Sequence, residues 1–437
     1  MTTVFTTFSV LKNYVKLKAV QDTAVIDNIV FRLHYRATFV LLVVGSLLVS
    51  SKQFFGEHIK CLAEKSKDDR LSAVIDTFCF FSSTYTITKY MDAKTVNANH
   101  IPHPGIGPYT GEEETVHHAY YQWVPFVLFF QALVFYVPHY LWRGAEGGRL
   151  KALVSGLHMA SLSLADNKDK DKDKKEEKDK KGDKDKDKKE DEKKKSSLAK
   201  SECKEKIKSI HDYFVAHLRV NQTWAYYLGA CEILNFINVI LQIYITNWFL
   251  GGAFLSLGTR VMETDEWTSR MSPLDIVFPK VTKCTFHRYG PSGSVEQLDA
   301  LCVMALNIVN EKIYVFLWFW YIILAVLSGI AIFWRIAALL LYSRSGRFNC
   351  FVFSMACPGK VTPWNTLRMA RGYHFGDWLF LYYLAKNLDN HAFTELLRHF
   401  KNEKEPLPNA FSSDHSNTYI FNEKTKLRQS LGAPVQF

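Results

Sequence analysis

Long apolar runs alternate with charged segments along the whole chain. Four runs are almost free of Asp, Glu, Lys and Arg, namely residues 37–55, 120–143, 224–250 and 313–335. A helix of roughly 20 residues, rising about 1.5 Å per residue, crosses the ~30 Å hydrocarbon layer of a bilayer. The pattern therefore predicts an α-helical integral membrane protein with four transmembrane helices per subunit, packed as a bundle.

The second run shows this pattern most clearly. From Tyr120 to Trp142 it contains no charged side chain, and aromatic residues stand at both ends. Tyr and Trp rings are typical of the two interfaces of a membrane span. Pro125 and Pro138 are tolerated in such a helix where neighbouring helices or side chains bind the carbonyls that proline leaves free. We therefore expect this span to lie inside a bundle.

The third run is the most polar, since it includes Glu232, Asn235, Asn238, Gln242 and Asn247. A buried helix of a soluble domain has a similar composition, but a membrane tolerates an ionisable group that faces a bundle interior. Most of these side chains share one helical face. They are either an intramembrane acid with catalytic helpers or hydrogen-bonding groups between helices. No metal-ligand spacing accompanies them, so we expect hydrogen bonding and no enzyme activity.

Charge refines the topology. The 437 residues carry a net charge of +11 and are 48% apolar, and the mean hydropathy is near zero because a very polar tract offsets the apolar runs. Net charges of +3, −2, +6, −1 and +6 belong to residues 1–36, 52–119, 143–223, 251–310 and 335–437, respectively. By the positive-inside rule, the second and fourth segments are extracellular and both termini are cytoplasmic.

These boundaries predict nine consecutive regions. In chain order they are a cytoplasmic N-terminal segment (1–36), TM1 (37–55), extracellular loop 1 (56–119), TM2 (120–143), a cytoplasmic loop (144–223), TM3 (224–250), extracellular loop 2 (251–312), TM4 (313–335) and a cytoplasmic C-terminal region (336–437).

The cytoplasmic loop contains an unusual charged tract. Asp166–Lys195 includes 15 Lys and 13 acidic residues. Such a tract cannot bury enough apolar surface to fold, so we predict a disordered Lys/Asp-rich insertion over 166–205. Its interleaved acids cancel the positive field, which argues against binding to nucleic acid.

Two shorter patterns lie outside the spans. Alternating residues around Cys284, followed by Gly290–Gly293, predict a strand that runs into a turn. The segment 377–400 predicts two packed helices, because Asp377 is a suitable N-cap and a turn restarts near Asp389.

The eight cysteines divide between the predicted compartments. Each extracellular loop contains two, 18 residues apart in both loops: Cys61 and Cys79, then Cys284 and Cys302. The other four lie on the cytoplasmic side or within a span. This division predicts disulfides among the extracellular four, and the sequence leaves all three pairings open. A zinc site is the alternative, but no CxxC or closely spaced His ligands accompany these cysteines.

The N-terminal segment is amphipathic. Val4, Phe5, Phe8 and Leu11 have helical spacing, with Thr residues between them. The residues alone leave two interpretations equally open. The helix lies on the inner leaflet of the membrane, or it folds into a pore mouth with its Thr side chains facing water.

Several stretches carry a family resemblance. TM2 begins Tyr120, Tyr121, Gln122, Trp123, Val124, Pro125 and Phe126, and extracellular loop 2 enters TM4 through Asp299–Tyr321. Together with Ala24–Arg36 and the two cysteines in each extracellular loop, these stretches resemble the innexins, the invertebrate gap-junction proteins of the wider innexin and pannexin family. The resemblance covers residues 1–160 and 206–395 and departs from the family at the Lys/Asp-rich insertion.

The resemblance implies an architecture and a function. Each subunit would combine its four-helix bundle with a small disulfide-linked extracellular α+β region and a cytoplasmic helical region, and subunits would form a ring around a pore. Two such hemichannels in adjacent cells would dock through their outer loops and pass ions and small metabolites. No cofactor, metal or nucleic acid is implied. The partners would be other innexin subunits, the hemichannel of the apposed cell and membrane lipids.

The resemblance also implies roles for individual residues. The family pairs its two outer loops in antiparallel fashion, which implies the disulfides Cys61–Cys302 and Cys79–Cys284. The N-terminal segment of the family narrows the pore, which implies that Thr2, Thr3, Val4 and Phe5 line it. The location implied is a gap junction of the plasma membrane.

Two alternatives share much of this architecture. One is an undocked hemichannel that releases small metabolites through a single membrane. The other is a tetraspan adhesion protein without a pore, although such proteins usually pair their cysteines within one loop. Asn221-Gln222-Thr223 is the only Asn-x-Ser/Thr sequence, and it lies on the predicted cytoplasmic side. Both outer loops thus lack a glycan acceptor, which is compatible with docking between membranes.

Overall fold

A computed structural model describes most of the chain outside its two ends and the charged tract. The described residues are 24–56, 59–63, 69–91, 103–155, 201, 204–263, 274–357 and 373–402. The predicted pore-lining residues 2–5, the charged tract 166–195 and the chain after 402 lie outside them.

Within these described residues, four helices are long and apolar enough to cross a membrane. They are α1 (Ile29–Phe55), α3 (Val124–Glu146), α5 (Val220–Phe249) and α8 (Ala305–Leu341). These are the four predicted spans, and each helix extends beyond its apolar run at one or both ends. Helix α1 begins eight residues before position 37 because Asn28 caps it, its side chain accepting a hydrogen bond from the Phe31 amide at 2.6 Å. For α1 this cap marks the start of the helix, which hydropathy alone does not locate.

Helix α1 contains a π-helical turn over Leu33–Thr38. The Thr38 hydroxyl donates to the Leu33 carbonyl at 3.0 Å, and it accepts from the Trp320 indole of α8 at 2.9 Å. A π-turn widens a helix locally and is common at functional sites.

A five-stranded antiparallel sheet covers one end of the bundle. Its strands are β1 (Lys60–Ala63), β2 (Thr84–Ile87), β3 (Thr115–His118), β4 (Val281–Tyr289) and β5 (Val295–Val303), in the spatial order β1-β5-β4-β2-β3. Helix α2 (Asp69–Ser82) belongs to the same layer, and the strands with α2 form the sheet region. The predicted strand around Cys284 and its turn are confirmed as β4 and the tight turn into β5, where Gly293 has a φ of +79°.

The first and second loops are interleaved in this sheet. Strands β1, β2 and β3 come from the first loop, while β4 and β5 come from the second. Strand β5 pairs with β1 and β4 pairs with β2, so neither loop forms a sheet of its own. Two short helices, α6 (Leu257–Glu263) and α7 (Leu274–Val277), precede β4.

Short helices occupy the opposite end of the bundle and form the helical region. They are α4 (Arg149–Val154), the helical residues 204–216, α9 (Gly346–Ala356), α10 (Phe375–Asn387) and α11 (Asn390–Asn402). The two predicted helices over 377–400 are confirmed as α10 and α11. The predicted N-cap is wrong, because α10 begins at Phe375 and Asp377 lies in its first turn with its carboxylate buried.

Candidate functional site: a cross-linked sheet and a polar bundle

Two disulfides join the first loop to the second. Cys61 in β1 lies directly opposite Cys302 in β5, and the two sulfurs are bonded across a Cα–Cα distance of 4.0 Å. Cys79 on α2 is bonded to Cys284 on β4, with their Cα atoms 5.8 Å apart. These are the pairs that the family resemblance implied. Each bridge therefore ties the sheet together between segments that are far apart in the sequence.

The two bridges lie side by side in the core of the sheet region. The sulfurs of Cys61, Cys79 and Cys302 are all within 4.8 Å of one another, and all four cysteines are buried. Cysteine binds a metal ion through its thiolate, and a sulfur atom in a disulfide is not a thiolate. In the bonded form described here, the cluster therefore acts as a covalent staple and does not provide a zinc site.

The motif at the start of TM2 forms hydrogen bonds that hold the start of α3 beside these disulfides. Tyr120–Gln122 form a short 3-10 turn ahead of the helix. The Tyr121 hydroxyl and the Gln122 amide both donate to the carbonyl of Phe80, at 3.1 and 2.6 Å, and Phe80 directly follows Cys79. The Tyr120 hydroxyl donates to the Val277 carbonyl of the second loop at 3.1 Å. The motif thus holds both loops at the mouth of the bundle.

The second half of the motif starts the helix. Pro125 lies in the first turn of α3, where its missing N–H leaves no helical hydrogen bond unmade. Its carbonyl accepts a hydrogen bond from the Ser46 hydroxyl of α1 at 2.8 Å. Val124 is buried, whereas Trp123 and Phe126 are exposed on the outer face of the bundle. Exposed aromatic rings at this level suit a lipid interface or a neighbouring subunit.

His118 is a buried titratable group of the sheet region. Its Nε2 lies 2.8 Å from the Thr86 hydroxyl across the β2–β3 pair. Burial lowers the pKa of His118 to about 4, with a smaller contribution from the neighbouring His117. His34, on α1, is buried as well.

The polar face of α5 points into the bundle. Glu232, Asn235, Asn238 and Gln242 are all buried. The Gln131 amide of α3 donates to the Thr246 hydroxyl of α5 at 2.8 Å, and the Gln242 amide donates to Asn238 at 3.3 Å. An interhelical hydrogen bond therefore joins α3 to α5, but it uses Gln131 and Thr246, which are not among the polar residues singled out from the sequence.

Glu232 pairs with a charged residue from another of the four apolar runs. The guanidinium of Arg335, on α8, donates to the Glu232 carboxylate through Nε at 2.9 Å and also through its terminal nitrogen. The Asn28 amide donates to the same carboxylate at 2.8 Å. A buried carboxylate is stable when it is paired and hydrogen-bonded in this way. The group links α1, α5 and α8, which gives Glu232 a structural partner in place of a catalytic one.

The helical region forms hydrogen bonds with the chain just before α1. The side-chain amide of Asn387, the last residue of α10, accepts from the Val25 amide at 2.6 Å and donates to the Val25 carbonyl at 2.9 Å. The Trp142 indole of α3 donates to the Ile26 carbonyl at 3.2 Å. The entry to the first span is thus fixed on two sides. No sequence pattern signals this contact, because a single Asn at a helix end is common.

The other end of α10 packs on the start of α5. The Asp377 carboxylate accepts from the Arg219 amide at 3.3 Å and from the Asn221 amide at 3.0 Å. Arg219 has a φ of +71°, a conformation that a non-glycine residue adopts only when it is held in place. Burial raises the pKa of Asp377, while these hydrogen bonds oppose the rise. Asn221, the sequon residue, is buried in this contact.

The fold therefore defines a four-span membrane protein whose two loops at one end are cross-linked to each other. The chain belongs to the innexin family, whose model matches residues 27–403. It is 42% identical over 414 residues to innexin inx7 of Drosophila melanogaster, covering 94% of this chain and 87% of that protein. It is 40% identical over 411 residues to innexin inx2 of the same fly, covering 91% and 96%. It is 36% identical over 400 residues to innexin shaking-B, also of Drosophila melanogaster, covering 90% and 94%.

Family membership places the chain in a class of channel proteins rather than enzymes. It supports a multi-pass protein of the plasma membrane that serves as a gap-junction channel subunit, with other innexin subunits as its partners. The four apolar helices and two disulfides fit that class.

Proposed function

We propose that subunits of this protein form a ring around an aqueous pore, and that two rings in apposed membranes dock through their sheet regions to pass ions and small metabolites between cells. The covalent linkage of both loops in one sheet carries this proposal. A surface made of loops needs cross-links to keep one shape, and docking needs one shape. In this arrangement the sheet region is extracellular, and both termini are cytoplasmic.

The outer half of the β4–β5 hairpin is the proposed contact with the opposite ring. Strand β1 pairs with β5 only at residues 300–303, and β2 pairs with β4 at Lys283. Beyond these residues the hairpin pairs only with itself among the described residues. Tyr289 is 81% exposed at its tip, and Arg288 forms a salt bridge with Glu296 across the two strands at 2.8 Å. A braced hairpin with an exposed aromatic tip has the rigidity and the anchor side chain that interfaces favour.

The pore is proposed to be lined by the N-terminal residues Thr2, Thr3, Val4 and Phe5, together with part of α1. The fixed entry to α1 at Val25 supports this, since a segment that narrows a pore needs a firm attachment. A Thr3→Cys variant tests it. Hemichannel current should fall when a thiol reagent is applied, whereas the cysteine-free N-terminus of the parent protein should not respond.

Expression in single cells and in cell pairs tests the function. A docking channel gives dye uptake in single cells under opening conditions and junctional conductance between paired cells. Uptake without junctional conductance would identify a channel that works undocked, and adhesion of cells without either would identify a protein lacking a pore.

The hairpin is tested in the same assay. Tyr289→Ala should lower junctional conductance at least tenfold while dye uptake and surface expression stay unchanged. The control is Tyr226→Ala, since Tyr226 is similarly exposed but lies on a span. Equal loss in both variants would contradict a docking role for the hairpin.

A further inference from the structure

A small cavity lies inside the bundle where α1, α5 and α8 meet. Its lining includes His34 from the π-turn of α1, Asn235 from α5 and Ser328 from α8, with Asn28 and Glu232 at one side. Its size suits a single water-sized molecule. The cavity is therefore bordered by polar side chains from all three helices.

Two of the residues that line the cavity have buried polar atoms without partners among the described residues. Asn235 is 3% exposed, and neither its amide nitrogen nor its amide oxygen makes a hydrogen bond to any described residue. His34 is 1% exposed, and its Nδ1 also lacks a partner among the described residues. Buried polar atoms in native proteins are nearly always hydrogen-bonded, either to protein groups or to ordered water. The three atoms together call for a bound ligand.

The hydrogen bonds of Ser328 determine what the ligand must do. The Ser328 hydroxyl donates to the Leu324 carbonyl at 2.6 Å, so it can only accept from His34 Nε2, which lies 2.7 Å away. His34 Nε2 therefore carries the proton, and Nδ1 of the neutral ring is an acceptor. The ligand must donate to Nδ1, and Asn235 offers one acceptor and two donors. A water molecule has two donors and two acceptors and meets both requirements. A metal cation has no proton to donate.

We propose that this cavity binds one ordered water molecule, which donates to His34 Nδ1 and exchanges hydrogen bonds with the Asn235 amide. The water joins α1 to α5 one helical turn from the Glu232–Arg335 pair. The water thereby gives His34 of the π-turn a second hydrogen bond, beside the one between its Nε2 and Ser328.

An experimental density map of the detergent-solubilised full-length protein tests the site, at a resolution where ordered waters elsewhere in the protein are visible. The expected result is an isolated peak within hydrogen-bond distance of both His34 Nδ1 and the Asn235 amide. An empty cavity in such a map would overturn the proposal. So would a peak that continues into an acyl chain or sterol ring, which would identify a lipid hydroxyl.

Two matched variants sharpen the test. Asn235→Leu fills the space with apolar atoms and should remove the peak and lower the thermal midpoint by several degrees, because His34 Nδ1 then has no partner. Asn238→Leu makes the same change one turn further along α5, outside the cavity lining, and should keep the peak. If Asn235→Leu does not fold, Asn235→Ser, which keeps a polar atom there, should retain the peak. A peak unchanged in Asn235→Leu would show that Asn235 does not hold the water.

Discussion

The sheet region and the helical region lie at opposite ends of the same bundle and are held together by different means. The sheet region consists of short strands and one helix, and its buried centre is a pair of disulfides. The helical region packs aromatic side chains such as Trp224, Phe380 and Tyr383 around α10. Cys357, one of the cysteines described in the helical region, is a buried free thiol whose Sγ donates to the Leu388 carbonyl.

The difference follows from segment length and from redox environment. Three of the five strands have only four residues and bury little apolar area, so covalent links replace a large core in the sheet region. Helices of 13 residues supply whole apolar faces and need no cross-link. In the proposed orientation the disulfides face the oxidising exterior and the free thiol faces the reducing cytoplasm. Substitutions matched between the two ends test this contrast.

The largest expected effect comes from the cysteines. Cys284→Ser, or Cys61→Ser, removes a bridge typically worth ~2–4 kcal/mol and should abolish junctional conductance while the spans still insert. Cys357→Ser keeps a hydroxyl that can donate to the same carbonyl, so we expect normal conductance. Paired-cell recording with surface biotinylation compares them. Normal coupling in Cys61→Ser would refute the view that the sheet depends on its bridges.

Acid should weaken the sheet region through His118. Its pKa is lowered from 6.5 to about 4, so the folded state binds fewer protons than the unfolded state. The stabilisation is complete above pH 6.5 and is lost as the pH falls toward 4, by on the order of 3 kcal/mol at most. Thermal midpoints of the purified protein across this range measure the loss. His118→Gln should flatten the dependence, whereas the exposed neighbour His117→Gln should keep it.

The helical region should be most sensitive where α10 meets α5. A Cβ added at Gly376 would lie 2.5 Å from the Gln222 Cα atom, so Gly376→Ala forces the two backbones apart. Overpacking of this kind costs about 1–3 kcal/mol, which a thermal midpoint detects. Gly229→Ala is the control, because a Cβ there meets nothing within 4 Å. Equal midpoints for the two variants would mean that the contact is loose.

The smallest effect is expected at Asn387. Asn387→Leu removes the hydrogen bonds to both backbone groups of Val25, and each is worth about 1 kcal/mol. Amide hydrogen exchange over residues 24–28 should rise roughly 5- to 30-fold. Arg398→Gln, a substitution of an exposed residue in the same region, should leave exchange there unchanged. Unchanged exchange in Asn387→Leu would show that Trp142 alone holds the entry to α1.

Much of this fold follows from sequence patterns, but its helix ends and its specific contacts do not. The apolar runs located all four spans, yet α8 extends from Ala305 to Leu341, well beyond the predicted 313–335. Hydropathy detects the part of a helix that lies in the lipid. The N-terminal part of α8, with Asn307, Asn310 and Glu311, lies instead beneath the sheet region, where tertiary packing buries these polar side chains. Pattern reasoning likewise took Asp377 for an N-cap, because local propensity does not register a partner such as Asn221, 156 residues away.

The sequence by itself determined the number of spans, the inward polar face of α5 and the grouping of four cysteines into two loops, since these depend on the periodicity and hydropathy of neighbouring residues. Only the tertiary structure decided which sulfurs meet, that Arg335 neutralises Glu232, and that α10 holds Val25. The physical reason is distance along the chain. Hydrogen bonds and disulfides act over a few ångströms in space, and only the packing of the four helices brings those residues within that range.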